Sequence, residues 1–92
     1  MEQKKQLLIK VLTKLQPSWN LAEGILALVE SQYCDEKMID GIANLIAQSI
    51  NKTKDEKQKA KFKKSMEVIK KIQQKEMKEN DVEEAEELLH QI

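Results

Sequence analysis

The 92-residue sequence is poor in the residue types that turns, disulfides and aromatic clusters need. It has two Gly, one Pro, one Cys, and one each of Trp, Tyr and Phe. Sandwiches and barrels depend on many turn residues, so strand-rich folds are disfavoured. Cys34 has no second cysteine to pair with. We therefore expect a reducing, intracellular setting.

Arginine is absent, and all sixteen basic residues are lysines. Arginine provides the planar, bidentate fork that recognises phosphates and guanine edges, so its absence argues against sequence-specific nucleic-acid binding. Codon bias in an AT-rich genome is the alternative explanation. Long apolar runs are also missing, and residues 1–16 lack the uninterrupted apolar stretch of a signal peptide. We expect a cytoplasmic protein that does not insert into membranes.

What the sequence does contain is helical periodicity. Hydrophobic residues make up 40% and charged residues 35%, which is enough apolar content for one core in a single domain, residues 1–92. Apolar residues recur at the spacing of one helix face. The pattern predicts an all-α, up-and-down bundle of four to five helices, at about 2–16, 20–32, 35–51, 53–78 and 81–91.

Helix starts are marked by capping patterns. We expect Asp35 to cap the third helix. Capping boxes, in which a polar side chain precedes an acidic residue by three positions, are predicted at three places: Asn20 with Glu23, Thr53 with Glu56, and Asn80 with Glu83. The second helix has the widest apolar arc, which predicts a central position among several neighbours. Gly24, Ala27 and Ser31 line its far side, either as a close-packing ridge or as plain exposed positions.

The formal charge is zero overall but segregated along the chain. Residues 1–16 carry +3, residues 17–50 carry −4, residues 51–80 carry +6, and residues 81–92 carry −5. On an ideal helix, a lysine row falls within one arc that is predicted to lie opposite Phe62, Met66 and Ile69; it comprises Lys57, Lys61, Lys64, Lys71, Lys75 and Lys78. Such a row attracts anions by salt-sensitive Coulomb forces. The simpler interpretation is a solvated face, partly balanced by an acidic last helix that folds back.

Catalytic and metal-binding patterns are weak. Glu87 and His90 have the spacing of a metal-binding helix turn, but no second His exists to complete a dinuclear site. Cys34 precedes a helix, yet Asp35 and Glu36 would oppose a thiolate there. We predict neither an enzyme nor a cofactor-binding protein.

Binding is the remaining class of function. The leading hypothesis is a non-enzymatic interaction module that binds a protein partner or a second copy through a helical surface. The alternative is a polyanion or nucleic-acid binder that uses the lysine row. Trp19, near the first helix joint, is either a packing lid over the end of the bundle or an exposed anchor. The candidate partner-binding residues are Trp19, Lys57, Lys61, Lys64, Lys71 and Lys75.

Overall fold

The computed structural model describes residues 2–31, 35–74 and 76–92. These residues form five α-helices and a short 3-10 turn, Gln16–Ser18: α1 (Glu2–Leu15), α2 (Ala22–Glu30), α3 (Glu36–Lys52), α4 (Glu56–Ile72) and α5 (Glu79–His90). The described residues contain no strand, so the predicted all-α bundle is confirmed. Within that part of the chain, no helix combines the length and the apolar content needed to cross a bilayer.

Consecutive helices run in opposite directions. At the start of α1, the Lys4 ammonium donates to the Gln74 carbonyl, just beyond α4, at 2.5 Å. Beyond the other end of α1, Ser18 lies 3.5 Å from the Lys61 ammonium, in the first half of α4. These contacts make α1 and α4 antiparallel. Glu36 opens α3 and lies 3.8 Å from Lys4, which makes α3 parallel to α1. The order is therefore the predicted up-and-down arrangement.

Helices α1 and α4 form the centre of the bundle. Helix α2 packs mainly on α1, α3 packs mainly on α4, and α5 lies against both α4 and α1. The prediction that α2 is central is wrong. In the described residues it lies at the edge: Ala22, Ile25 and Val29 are buried and Leu26 is partly buried, whereas Leu21 and Leu28 face outward.

One cluster of buried side chains joins all five helices. Its fully or almost fully buried large members are aliphatic residues of α1, α2, α3 and α4, namely Leu8, Val11, Leu12, Leu15, Val29, Ile39, Ile46, Val68, Ile69 and Ile72. Ala85 and Leu89 provide the contribution of α5. Burial of these side chains is the main source of stability, at roughly 25 cal/mol per Å² of apolar surface removed from water.

The caps differ from the predicted pattern at three of four helix starts. Asp35 caps α3 as predicted, accepting from the Met38 amide at 2.9 Å. The predicted Thr53 cap is wrong, since Thr53 ends α3 instead. Asp55 caps α4 by accepting from the amide of Lys57 at 2.8 Å. A carboxylate at this position also interacts favourably with the positive end of the helix dipole, whereas a threonine hydroxyl carries no charge to do so.

The Asn20 and Asn80 caps are also wrong. Asn20 lies in a turn in which the Ala22 amide donates to the Trp19 carbonyl at 3.0 Å, and α2 has no side-chain cap. Asn80 lies inside the first turn of α5. There the Asp81 carboxylate accepts from the Lys78 amide at 3.1 Å, so α5 begins two residues earlier than predicted.

Helix α4 ends at Ile72, six residues before the predicted end at residue 78. Ile72 is also the last buried apolar residue of the α4 stripe. Beyond it, the Gln73 amide donates to the Ile69 carbonyl at 2.8 Å, and the Gln74 carbonyl is satisfied by Lys4.

Candidate interaction surface on helix α2

The lysine row does not lie opposite the buried face of α4. Ser65, Val68 and Ile72 are buried alongside Phe62, so the inward face is turned toward the row. The prediction placed Met66 at the centre of that face, but Met66 is only partly buried. The row therefore follows the edge where α4 meets its neighbours. Periodicity within one helix could not fix this, because the orientation depends on where α1, α3 and α5 lie.

Several lysines of the row already engage groups within the chain. Lys71 hydrogen-bonds Glu84 of α5, and this contact raises the pKa of the Lys71 ammonium above its ordinary value. Lys64 lies 3.7 Å from Glu67. Lys61 reaches Ser18, as described above, and Lys57 is exposed. Lys75 lies outside the described residues, and Lys78 precedes α5 rather than continuing the row.

Trp19 belongs to the core. Its side chain is 8% exposed and meets Phe62 of α4 edge to face, with ring centroids 5.6 Å apart at 85°. This is the preferred T-shaped geometry of aromatic pairs. The interpretation of Trp19 as a lid over the bundle end fits this packing, and the ring offers little surface to a partner.

The candidate metal-binding and nucleophilic residues of the sequence lie at separate places in the chain. Among the described residues, no three His, Cys, Asp or Glu side chains lie close enough to hold a metal ion. His90 lies at the end of α5 and is exposed. Cys34 lies outside the described residues.

Two buried polar side chains have structural partners. Ser65 is fully buried and donates to the Lys61 carbonyl, one turn earlier, at 2.8 Å. Lys4 is 8% exposed and is satisfied by the Gln74 carbonyl and by nearby Glu36. No buried side-chain nitrogen or oxygen among the described residues lacks a hydrogen-bond partner. Neither residue is poised to react with a substrate.

The most exposed large apolar residues lie on α2. Leu28 is 58% exposed, and Leu21, at the cap position of the helix, is 54% exposed. They are seven residues apart, or two helical turns, so they share one face. Gly24 completes this row at the i+3 position, and a Cβ built on it would meet nothing within 4 Å. Isolated exposed leucines are common, but two on one short helix form a continuous apolar strip.

A second row lies on the other flank of the exposed side of α2, with its glutamates about 160° around the helix from Leu21 and Leu28. Glu23, Ala27 and Glu30 follow the i, i+4, i+7 spacing and are all exposed. Neither glutamate forms an ion pair with any described residue. We call the two rows together the α2 outer face; it comprises Leu21, Glu23, Gly24, Ala27, Leu28 and Glu30.

The sequence predicts the wide apolar arc and the small residues of α2, whereas the candidate partner-binding residues chosen from it are Trp19 and five lysines. A better signal was the seven-residue spacing of Leu21 and Leu28 in a helix that already has a second apolar row, Ala22, Ile25 and Val29. A helix this short needs only one such row for its core.

The groove between α1 and α5 and the exposed Leu45 are less suited to a partner than the α2 outer face. An open groove of 270 Å³ lies between α1 and α5, lined by residues that include Ile9, Thr13 and Leu89. Its rim is crossed by a 2.7 Å ion pair between Lys10 and Glu86, so both of these charges are already paired within the chain. Leu45 of α3 is 37% exposed but has no comparable apolar neighbour among the exposed residues of its helix.

Comparison of the chain with family models, with curated proteins and with solved structures finds no match.

Proposed function

We propose that this protein is a non-enzymatic interaction module that binds a partner protein through the α2 outer face. The observation that carries the proposal is that Leu21 and Leu28 are both exposed on one face of a helix at the edge of the bundle. A helix of the partner could cover this face without disturbing the core, because α2 already packs on α1 through its opposite side.

The two exposed leucines supply part of the binding energy of such a complex. Full burial of a leucine is worth about 1.5–3 kcal/mol, so covering the exposed half of each contributes about 1 kcal/mol. The two leucines together therefore account for about 2 kcal/mol, or more than tenfold in the dissociation constant. The rest of the affinity comes from the contacts that surround them.

Binding of polyanions by the lysine row has less support. Lys61, Lys64 and Lys71 face neighbouring side chains, so an incoming phosphate would compete with contacts that exist already. The outward positions of α4 alternate in charge, with Lys63 and Lys70 separated by Glu67. An unbroken cationic stripe would be the stronger feature for a phosphate backbone.

The test is site-specific photo-crosslinking from position 28, with position 45 as the matched control. Leu28 and Leu45 are both exposed leucines on helices, but they belong to different helices. A protein that is captured from position 28 and not from position 45 is then purified. Its affinity is measured by calorimetry for the wild-type chain, for the Leu21→Ser/Leu28→Ser double variant and for Leu45→Ser.

We expect the double variant to bind this purified partner about tenfold or more weakly, and Leu45→Ser to bind it normally. Both variants should unfold at nearly the wild-type urea concentration, because the replaced side chains are exposed. Equal affinity of the double variant and the wild type would show that the α2 outer face is not the binding surface.

A further inference from the structure

We infer that the partner of the α2 outer face is a basic amphipathic helix of another protein, with one apolar row and one lysine- or arginine-bearing row. This inference rests on the proposed function and adds the chemistry of the partner. It follows from the two parallel rows of α2, one apolar and one acidic, and from the space between them.

The charge of the surface is one-sided. Residues 15–36 contain no lysine, and the charged residues of the α2 outer face are both acidic, Glu23 and Glu30. Lys5, near the end of α2, has its ammonium 3.4 Å from the Ser31 carbonyl and forms no ion pair with Glu30 among the described residues. Cations on the partner would meet Glu23 and Glu30 directly, whereas anions would be repelled.

The shape of the surface suits a helix lying along it. Leu21 and Leu28 are two turns apart, and so are Glu23 and Glu30. Gly24 and Ala27 lie on the inner edges of the two rows, between the leucines and the glutamates, and their small size lets a second backbone approach closely. A partner helix laid over them, parallel or antiparallel to α2, would place residues seven apart beside both pairs. Gly24 has no intrachain reason to be small, since a Cβ there meets open space.

A second copy of this chain fits less well than a basic helix. Two α2 outer faces packed around a twofold axis would bring together two segments that each carry −4 over residues 17–50. Packing of α2 on the basic α4 of another copy would have to compete with contacts inside each chain, because Lys61, Lys64 and Lys71 of α4 already engage Ser18, Glu67 and Glu84. A different, basic partner meets the charge of α2 without that competition.

The experiment uses two fluorescein-labelled synthetic helices of about four turns. Both carry leucines at i, i+3 and i+7. One carries lysines along the neighbouring row, and the other carries glutamates at the same positions. Fluorescence anisotropy gives their affinities for the full-length wild-type protein and for four variants: Leu21→Ser/Leu28→Ser, Glu23→Gln/Glu30→Gln, Gly24→Gln and Gly41→Gln.

We expect the lysine helix to bind about tenfold or more tightly than the glutamate helix at low salt, and this preference to shrink as salt is added. Glu23→Gln/Glu30→Gln should remove most of the preference. Gly24→Gln should weaken binding by about tenfold, because its side chain occupies the space between the rows. Gly41→Gln is the matched control: Gly41 is also an exposed helical glycine with open space around it, but it lies on α3.

Three results would overturn the inference: no binding of the lysine helix, equal or tighter binding of the glutamate helix, or a concentration-dependent dimer of the wild type that Leu21→Ser/Leu28→Ser abolishes. The test also separates this inference from the proposed function. If both helices bind equally and both lose affinity in Leu21→Ser/Leu28→Ser, the α2 outer face is supported as the docking surface, but the inference of a basic partner is refuted. If the lysine helix binds that variant as tightly as it binds the wild type, the proposal that the α2 outer face is the docking surface is refuted as well.

Discussion

Replacing Trp19 with Ala tests how much the burial of this side chain at the end of the bundle stabilises the fold. Trp19 is 8% exposed and packs edge to face on Phe62. Removing a buried Trp side chain costs about 3–5 kcal/mol, because the lost burial and the cavity both count. A domain of this size has a free energy of unfolding of about 5–14 kcal/mol. Trp19→Ala should therefore remove a large fraction of the total stability.

The contact with Phe62 can be measured separately. In a double-mutant cycle with Trp19→Leu and Phe62→Leu, the edge-to-face pair should contribute about 0.5–1.5 kcal/mol beyond the burial of each ring. Urea unfolding at 25 °C, followed by far-UV circular dichroism, gives the four free energies. Circular dichroism is preferred to fluorescence, since Trp19 is the only tryptophan of the chain.

Leu28→Ala is the matched control for Trp19→Ala. Leu28 is also a large apolar residue, but it is 58% exposed, so its removal should change the free energy of unfolding by less than about 0.5 kcal/mol. A Trp19→Ala cost below about 1 kcal/mol, together with a coupling energy near zero, would refute this account. Trp19 would then face solvent and return as a candidate anchor for a partner.

Three further predictions concern polar and glycine positions. Lys4→Met should lower the free energy of unfolding by about 1 kcal/mol, and Lys4→Ala by more, because Ala also removes the buried aliphatic stem. Gly24→Ala and Gly41→Ala should each raise the melting temperature, through a gain of about 0.5–1 kcal/mol, since a Cβ meets no atom at either site. Glu84 raises the pKa of Lys71 in the folded state, so the stability from this pair is complete below the unfolded pKa and is lost as the pH rises through the raised value. Lys71→Met should therefore flatten the loss of stability above about pH 10, measured as urea midpoints.

Each of these predictions has a contrary outcome. Equal stability of Lys4→Met and the wild type would mean that the hydrogen bond to Gln74 contributes nothing. A lower melting temperature in Gly24→Ala would indicate that the isolated chain packs closely around that glycine. An alkaline unfolding profile that is the same in Lys71→Met and in the wild type would remove the role of the contact with Glu84.

The helices themselves were largely predictable, because helix formation is encoded over short distances. Apolar spacing located all five helices, and Asp35 was correctly predicted as a cap. Most errors at the helix ends arose where two residues compete for one role. Asp55 prevails over Thr53 because a carboxylate that accepts two amide hydrogen bonds is the stronger cap. Beyond the early end of α4, the Gln74 carbonyl accepts a hydrogen bond from Lys4, seventy residues away in the sequence, which no local pattern predicts.

The candidate surface was less predictable than the fold. Leu21 and Leu28 have the same composition and spacing as core leucines, and periodicity cannot tell a second inward face from an outward one. On an ideal helix the lysine row is predicted to face solvent. In the fold, Ser65 and Val68 are buried beside it, so the row follows the edge where α4 meets its neighbours.

An all-α fold with segregated charge is predictable from local sequence, because amphipathic periodicity and capping carboxylates act within a few residues of one another and turn residues are scarce. Tertiary packing sets which helix lies at the edge, which leucines remain exposed, and which lysines contact a carboxylate. These outcomes depend on which helices become neighbours. A leucine row is core or binding surface according to what covers it, and for Leu21 and Leu28 nothing within the described chain covers the outer half of each side chain.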